Sequence, residues 1–238
     1  MYIYGKNTII AYVNGKKKLE TIYISEDFND RKLLSLLDKN NYQYIRISKS
    51  KLNTLSNNAN HQGIVAKVFA FEYKDLNYLI NKTLNKDSNT ILILDGLEDP
   101  QNFGSIIRTS EALQIDGIII PKNRSVKVTP TVVKVSTGAI NNVDIIQVTN
   151  LNNTIKELKK NGYWVIGTEM NAQINYDKLD YDMKVALVIG SEGKGISEQV
   201  KKHCDYLIKI PMYGQTSSLN AAVSASVILY QINSIRNK

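Results

Sequence analysis

Three short stretches hold the side chains whose types and spacing could do chemistry. The first is Asp99-Pro100-Gln101-Asn102-Phe103-Gly104-Ser105-Ile106-Ile107-Arg108, following an apolar run that ends at Leu94-Asp95. Asn102 can cap a helix starting near Gly104, which places the Arg108 guanidinium about one turn inside it, where it could meet a phosphate. The second is Gly190-Ser191-Glu192-Gly193-Lys194-Gly195, whose glycines let backbone groups approach a ligand with no Cβ in the way. It is not a Walker loop, because no Ser or Thr follows Gly193-Lys194, and it lacks the glycine spacing of a dinucleotide fingerprint. The third runs from Ile208-Lys209-Ile210-Pro211-Met212 to Ser217-Ser218-Leu219-Asn220. Ser218 is placed to cap a helix with Asn220 in its first turn, and the free N–H groups of such a start can hold an anion or a carboxylate. Taken singly, each stretch has a plainer explanation: a capped helix with a surface Arg, a tight turn, or a helix start.

The flanking elements decide whether these stretches can meet. From Ile91 onward, short apolar runs bounded by turn residues recur at 91–95, 117–121, 144–148, 164–168, 185–190 and 207–210. Such runs read as strands buried on both faces, as in a parallel sheet, and all three stretches follow one directly. Open α/β sheets place ligands in the loops at the carboxyl ends of their strands. Asn150 before residues 151–160, with Gly162 after them, marks a capped helix, and Thr129-Pro130 marks another helix start. A last helix over about 219–236 is apolar around most of its circumference and needs burial against the sheet or a partner chain. Residues 1–75 form a smaller α/β module, with strands at 21–25, 42–47 and 64–71 and a helix at 31–39. The polar stretch 76–90 reads as a linker or linking helix, so the expected domains are 1–75 and 91–238.

Composition narrows the chemistry. The 238 residues can bury a proper core, and no apolar stretch reaches the roughly 18 residues of a membrane span. Met1-Tyr2-Ile3-Tyr4-Gly5-Lys6 lacks the layout of a secretory signal, so a soluble protein is expected, and the single cysteine fits a reducing cytoplasm best. Cys204 is the only cysteine and His61 and His203 the only histidines. An internal disulfide is therefore excluded, and neither a metal site nor a Ser-His triad has much to draw on. A formal charge of +8 favours a polyanionic partner, and residues 1–75 carry 12 Lys and Arg against 7 Asp and Glu. General compositional bias toward Lys, Asn and Ile explains the charge equally well on its own.

In this order, the three stretches resemble the signature motifs of the SpoU/TrmH family of RNA 2′-O-methyltransferases, in the SPOUT superfamily. Asn102-x-Gly104-x-x-x-Arg108 corresponds to the first motif, Gly190-x-Glu192-x-x-Gly195 to the second, and Ile210-Pro211-Met212 through Ser218-Leu219-Asn220 to the third. Tyr4-Gly5-Lys6-Asn7 and His61-Gln62-Gly63-Ile64-Val65-Ala66 resemble the family's small N-terminal RNA-binding module, similar to L30e/L7Ae folds. The resemblance implies a parallel-sheet domain with a deep trefoil knot, against the base rate for folds. It implies S-adenosylmethionine lined by Gly190, Ile210 and Leu219, a homodimer, an RNA substrate rather than DNA, and no membrane or metal. A guanosine of 23S rRNA is the implied target; a tRNA ribose, or a catalytically idle RNA-binding or ribosome-assembly role, are the alternatives. Arg108 is the implied central catalytic residue. A guanidinium normally keeps its proton above about pH 12, so a charged arginine that stabilises the developing alkoxide is simpler than a general base. Asn102 orients it, Glu192 holds it or the nucleotide, and Ser218 and Asn220 position the ribose or the arginine. Relatives often continue Ser-Leu-Asn-Val-Ser, whereas this chain has Ala222 in the last position. His61 is read as structural or RNA-contacting, His203 and Cys204 as packing residues on a short helix, and Lys16-Lys17-Lys18 as a solvated loop.

Overall fold

The computed structural model describes residues 1–236. The backbone separates into two compact units, Met1–Glu72 with Val128–Asn142, and Tyr73–Lys127 with the chain from Val143 onward. The first unit opens with β1 (Tyr2–Tyr4), α1 (Lys6–Asn14), β2 (Leu19–Ser25), α2 (Arg31–Lys39), β3 (Tyr44–Ile47), α3 (Lys49–Leu55) and β4 (Ile64–Val68). The second begins with α4 (Leu76–Thr83), β5 (Asn89–Asp95), α5 (Pro100–Ala112) and β6 (Ile118–Pro121). The chain then contributes α6 (Pro130–Val135) and a 3-10 turn (Ala139–Asn141) to the first unit. It completes the second with β7 (Ile145–Val148), α7 (Leu151–Lys160), β8 (Trp164–Thr168), β9 (Ile174–Asn175), β10 (Lys184–Gly190), α8 (Glu198–Lys201), β11 (Tyr206–Lys209) and α9 (Ala221–Arg236).

In the first unit the sheet order is β1-β4-β2-β3, with β2 and β3 parallel and β4 antiparallel to both of its neighbours. Helix α2 occupies the expected residues because Asp30 accepts from the Leu33 N–H at 3.1 Å, while Leu33 and Leu37 turn inward. Strand β4 stops at Val68, short of the expected Phe71, and Phe69 is exposed. The contribution of α6 is close-packed. A Cβ on Gly138 would lie 2.5 Å from that of Ala11, and Lys134 Nζ sits 5.1 Å from the centre of the Tyr4 ring.

The second unit holds a seven-stranded sheet ordered β7-β6-β5-β10-β8-β11-β9, and every pairing in it is parallel. Along β5, Ile91 and Ile93 join one core with Leu79 of α4 and Leu151, Ile155 and Leu158 of α7. Leu92 and Leu94, pointing the other way, are equally buried. Burial on both faces is what the uninterrupted apolar runs signalled, at roughly 1.5–3 kcal/mol for each large aliphatic side chain. The expected strands appear with their ends moved by a residue or two. Asn150 caps α7 as expected, accepting from Asn153 N at 3.0 Å, and Thr129 caps α6 by accepting from Val132 N at 3.4 Å.

Two expectations are corrected. Residues 76–90 are not a connector between domains: Asp75 caps α4, Leu79 is fully buried in the second core, and β5 starts at Asn89. The polarity of that stretch belongs to the exposed faces of a short helix. The expected catalytic domain does not run unbroken from residue 91, since Val128–Asn142 belongs to the first unit. Helix α9 buries Ala225, Ile228, Leu229 and Ile232 on one face and leaves Val223 and Tyr230 47% and 58% exposed. No helix among the described residues is long and apolar enough to cross a membrane.

Candidate active site

All three chemistry-bearing stretches leave the carboxyl edge of the seven-stranded sheet, after β5, β10 and β11. The first helix starts earlier than expected. Asp99, not Asn102, is the cap, accepting from Gln101 N at 3.0 Å and Asn102 N at 3.3 Å, with Pro100 in the first helical position. Asn102 therefore lies in the first turn of α5, only 8% exposed, with its side chain free for another purpose. Its Nδ2 donates to Glu192 Oε1 at 2.7 Å, and its Oδ1 accepts from Asn220 Nδ2 at 2.9 Å. Asn220 Nδ2 also donates to the same Glu192 oxygen at 2.8 Å. Three side chains from three loops thus close a ring of hydrogen bonds, two of them to a carboxylate oxygen and so stronger than neutral ones.

Asn220 has a second function that was expected of Ser218. Its Oδ1 accepts from Ala222 N at 2.9 Å and Val223 N at 3.3 Å, which makes it the cap of α9. Ser218 lies in the preceding irregular segment, exposed, and Leu219 beside it is 36% exposed. Across residues 211–219 the backbone makes no hydrogen bond with other backbone groups among the described residues, so its amides and carbonyls are available. Ile210, just before this segment, is half-buried.

The glycine-rich stretch is a closed turn. Ser191 and Gly195 exchange backbone hydrogen bonds of 3.1 and 2.9 Å, with Gly193 at φ +78°. A Cβ on Gly190 would lie 2.0 Å from the Gly195 carbonyl carbon and 2.3 Å from Ile196 N. The residue type is dictated by one strand end passing directly against the returning chain. Asp95, at the end of β5, fastens that return by accepting from Ser197 N at 2.8 Å.

Arg108 is not joined to the ring. As the ninth residue of α5 it lies two turns in, not one, and six residues past Asn102 puts it on a different face. It is exposed, with no hydrogen bond or ion pair among the described residues, so Glu192 is held by two amides and not by this guanidinium.

Two residues of the site escaped sequence reasoning. The Asp99-Pro100 pair was a readable cap signal that the more prominent Asn102 obscured. Asp95 carried none, because its partner lies 102 residues away.

The remaining candidates are not members of the ring. His61 is 6% exposed, its Nδ1 accepting from Gly63 N and its Nε2 donating to Asn53 Oδ1, both at 2.9 Å. Burial, aided by Lys49, lowers its pKa and favours that neutral form. It lines a cleft of about 540 Å³ in the first unit, together with Lys6, Lys49 and Gln62. There the stretches 4–7 and 61–66 meet, through the Tyr4–Val65 strand pair and a 2.9 Å bond from Lys6 N to Gln62 Oε1. His203 and Cys204 follow α8 instead of lying on it, and burial pushes the Cys204 thiol up to about 12, which disfavours its thiolate. Among the described residues no group of three or more His, Cys, Asp or Glu could hold a metal ion.

A parallel sheet with a polar cluster assembled from its carboxyl-edge loops defines an α/β protein of the ligand-binding, enzyme-bearing kind. Residues 89–230 match the model of the SpoU rRNA methylase family, and residues 2–74 match that of the RNA 2′-O ribose methyltransferase substrate-binding domain. The chain is 46% identical over 234 residues to a Staphylococcus aureus protein whose name places it in the TrmH family of tRNA/rRNA methyltransferases, covering 97% of this chain and 94% of that one. A Staphylococcus saprophyticus protein of the same name is 47% identical over 206 residues, covering 86% of this chain and 82% of its own. The SpoU methyltransferase AviRb of Streptomyces viridochromogenes has the same fold, with a TM-score of 0.84 at 24% identity over 100% of this chain and 90% of that one. Its complex with the cofactor AdoMet superposes with a TM-score of 0.82 at 25% identity, with the same coverage. The chain belongs to the SpoU/TrmH family of RNA methyltransferases.

Proposed function

We propose that this protein transfers a methyl group from S-adenosylmethionine to a ribose 2′-hydroxyl of RNA, with a guanosine of 23S rRNA as the target. The observation that carries the reading is the Asn102–Glu192–Asn220 ring, which ties together the three motif loops at one sheet edge. The residues present suit the cofactor. The unpaired backbone of residues 211–219 offers donors and acceptors of the kind an adenine edge and an amino-acid group require, and the partly exposed Leu219 and Ile210 offer apolar contact. Gly190, Ile210 and Leu219 would hold it, and once bound it supplies a methyl group already activated by its sulfonium.

What remains for the protein is the nucleophile, because a ribose hydroxyl is barely ionised near neutral pH. Arg108, charged and exposed, stabilises the negative charge developing on the 2′-oxygen. Glu192 uses Oε1 for the two amides, which leaves Oε2 to accept from the nucleotide. Asn102 and Asn220 fix that carboxylate, and Ser218 positions the ribose. The basic first unit, with its polar cleft, contributes RNA affinity. The reading includes a trefoil knot, which the family match supports, and a homodimer, supported by the exposed Val223 and Tyr230 of α9.

The test is transfer of a labelled methyl group from S-adenosylmethionine to 23S rRNA lacking the modification, beside bulk tRNA and a 2′-deoxy target. Label on rRNA that vanishes with the deoxy sugar is the expected result. Incorporation that survives the deoxy substitution overturns ribose methylation, and uptake confined to tRNA overturns the assignment to rRNA. Cofactor binding with no transfer to any RNA would point to an RNA-binding protein instead. Arg108→Ala is expected to lower turnover by about 100-fold or more while leaving cofactor affinity nearly unchanged.

A further inference from the structure

Charge in the second unit is sorted between the two edges of its sheet. At the amino edge, β6, β7 and β11 are each preceded by an aspartate that holds a lysine: Asp116 with Lys86 at 2.5 Å, Asp144 with Lys82 at 2.7 Å, and Asp205 with Lys159 at 2.8 Å. At the carboxyl edge the acids of these loops, apart from the exposed Glu98, are engaged elsewhere. Asp95 accepts from Ser197 N, Asp99 caps α5, Glu192 accepts two amides, and Glu169 holds Lys201 at 2.5 Å. The segment following β6 at that edge carries Lys122, Arg124 and Lys127 within six residues. All three are exposed, and their side chains have no hydrogen bond or ion pair among the described residues.

This segment is fastened in place. Lys122 N donates to Val148 O at 2.8 Å, Val126 N to Leu97 O at 2.7 Å, and Ser125 Oγ to the same carbonyl at 3.3 Å. Leu97, 1% exposed, belongs to the loop that leads into the Asp99 cap and Asn102. Three cations with no side-chain partner are therefore held against the first loop of the candidate active site, which carries a single free acid, the exposed Glu98. Val126, the segment's apolar side chain, is turned inward at 6% exposure, so the rim has no apolar anchor of the kind a lipid surface requires.

We infer that residues 122–127 form a fixed phosphate-binding rim, on which Lys122, Arg124 and Lys127 take the RNA backbone beside the target ribose. The inference rests on the RNA substrate proposed above and names a surface of the second unit that receives it. Lys122 and Lys127 act as point charges, and Arg124 offers the planar fork that matches a phosphate. Their contribution is sequence-independent: it sets register and affinity, and it leaves choice of nucleotide to other groups.

The test uses the full-length protein with Lys122→Gln, Arg124→Gln and Lys127→Gln combined, against rRNA fragments in a filter-binding assay across a salt series. RNA affinity is expected to fall at least about tenfold near 0.15 M salt, and the dependence of log affinity on log salt to flatten by about 2 to 3, as losing three phosphate contacts requires. Cofactor affinity and turnover at saturating RNA stay within about twofold, since the rim is asked for positioning affinity alone. A second protein carrying Lys156→Gln, Lys159→Gln and Lys160→Gln on α7 loses the same charge away from the rim and is expected to keep the parental salt dependence. An unchanged slope in the first protein, or equal flattening in both, overturns the rim. Binding is read without turnover, so a protein that binds RNA through the rim yet methylates none would count against the proposed activity and not against this surface.

Discussion

At the scale of single residues, Asn220 is where two requirements meet. Its oxygen caps α9 and its amide nitrogen donates to Asn102 and Glu192. Substitution can separate the two. Asn220→Asp keeps the capping oxygen but loses both donors and sets a second carboxylate against Glu192, so turnover is expected to fall about tenfold or more while the melting temperature moves by about 2 °C or less. Asn220→Ala loses the cap as well and should cost about 1 kcal/mol, read as a drop of roughly 2–4 °C. Parental turnover in the Asp variant would mean that the ring does no positioning. The same residue shows how far the site was legible in the sequence. Motif spacing found every member of the ring but misassigned both caps, for one physical reason. Each helix start offers two capping side chains within three residues, Asp99 and Asn102 or Ser218 and Asn220, and local propensity ranks them almost equally. The choice is made by contacts 90 and 118 positions away, which no local pattern records.

At the scale of elements, α9 is a strut fastened at both ends. Asn220 ties its start to the candidate active-site loops, and Arg236 ties its end to the amino edge of the sheet. The Arg236 guanidinium donates to Tyr181 O at 3.1 Å, Asn89 O at 2.9 Å, Met183 O at 2.6 Å and the Thr90 hydroxyl. Between these ends, Ala225, Ile228, Leu229 and Ile232 bury one face, and Thr109 Oγ1 meets Ser226 Oγ at 2.9 Å across α5. Opposite the strut's start, β10 ends in Gly190 with no room for a side chain. Gly190→Ala must displace either the strand end or the returning turn. An overpacking cost of about 1–3 kcal/mol, or roughly 3–10 °C in melting temperature, is expected together with loss of cofactor binding. A variant that melts like the parent and binds cofactor normally would mean that the crossing is loose. Strands buried on both faces were readable because their apolar runs are unbroken, and α2 and α7 because caps and periodicity agree. Helix α4 was only one of two readings of its stretch, because Leu79 is the only large aliphatic side chain it buries fully.

At the scale of the whole molecule, the division into two units was legible in its existence but not in its boundary. Charge and composition change near residue 75, yet the structure assigns Val128–Asn142 to the first unit. Nothing in the α6 sequence announces its destination, because Pro130, Val132 and Val133 suit any apolar surface. What selects the first unit is complementary packing, with Gly138 against Ala11 and Lys134 over Tyr4. A fragment of residues 1–75 should therefore melt less cooperatively and at lower temperature than the first unit of the intact chain, and it should regain cooperativity when 128–142 is appended through a flexible linker. A fragment that already melts as the intact unit does would make the excursion dispensable.

That excursion also sets a timetable. A nascent chain emerging at roughly 5–20 residues per second presents all four strands of the small sheet several seconds before α6 appears. During that interval the Tyr4 side of the sheet is open to whatever the ribosome exit offers, and the larger unit already has its first two strands in hand. Neither half can be finished and set aside while the other is made. Transplanting the first 75 residues onto another catalytic domain would accordingly carry over an unfinished module, and a workable graft needs both pieces.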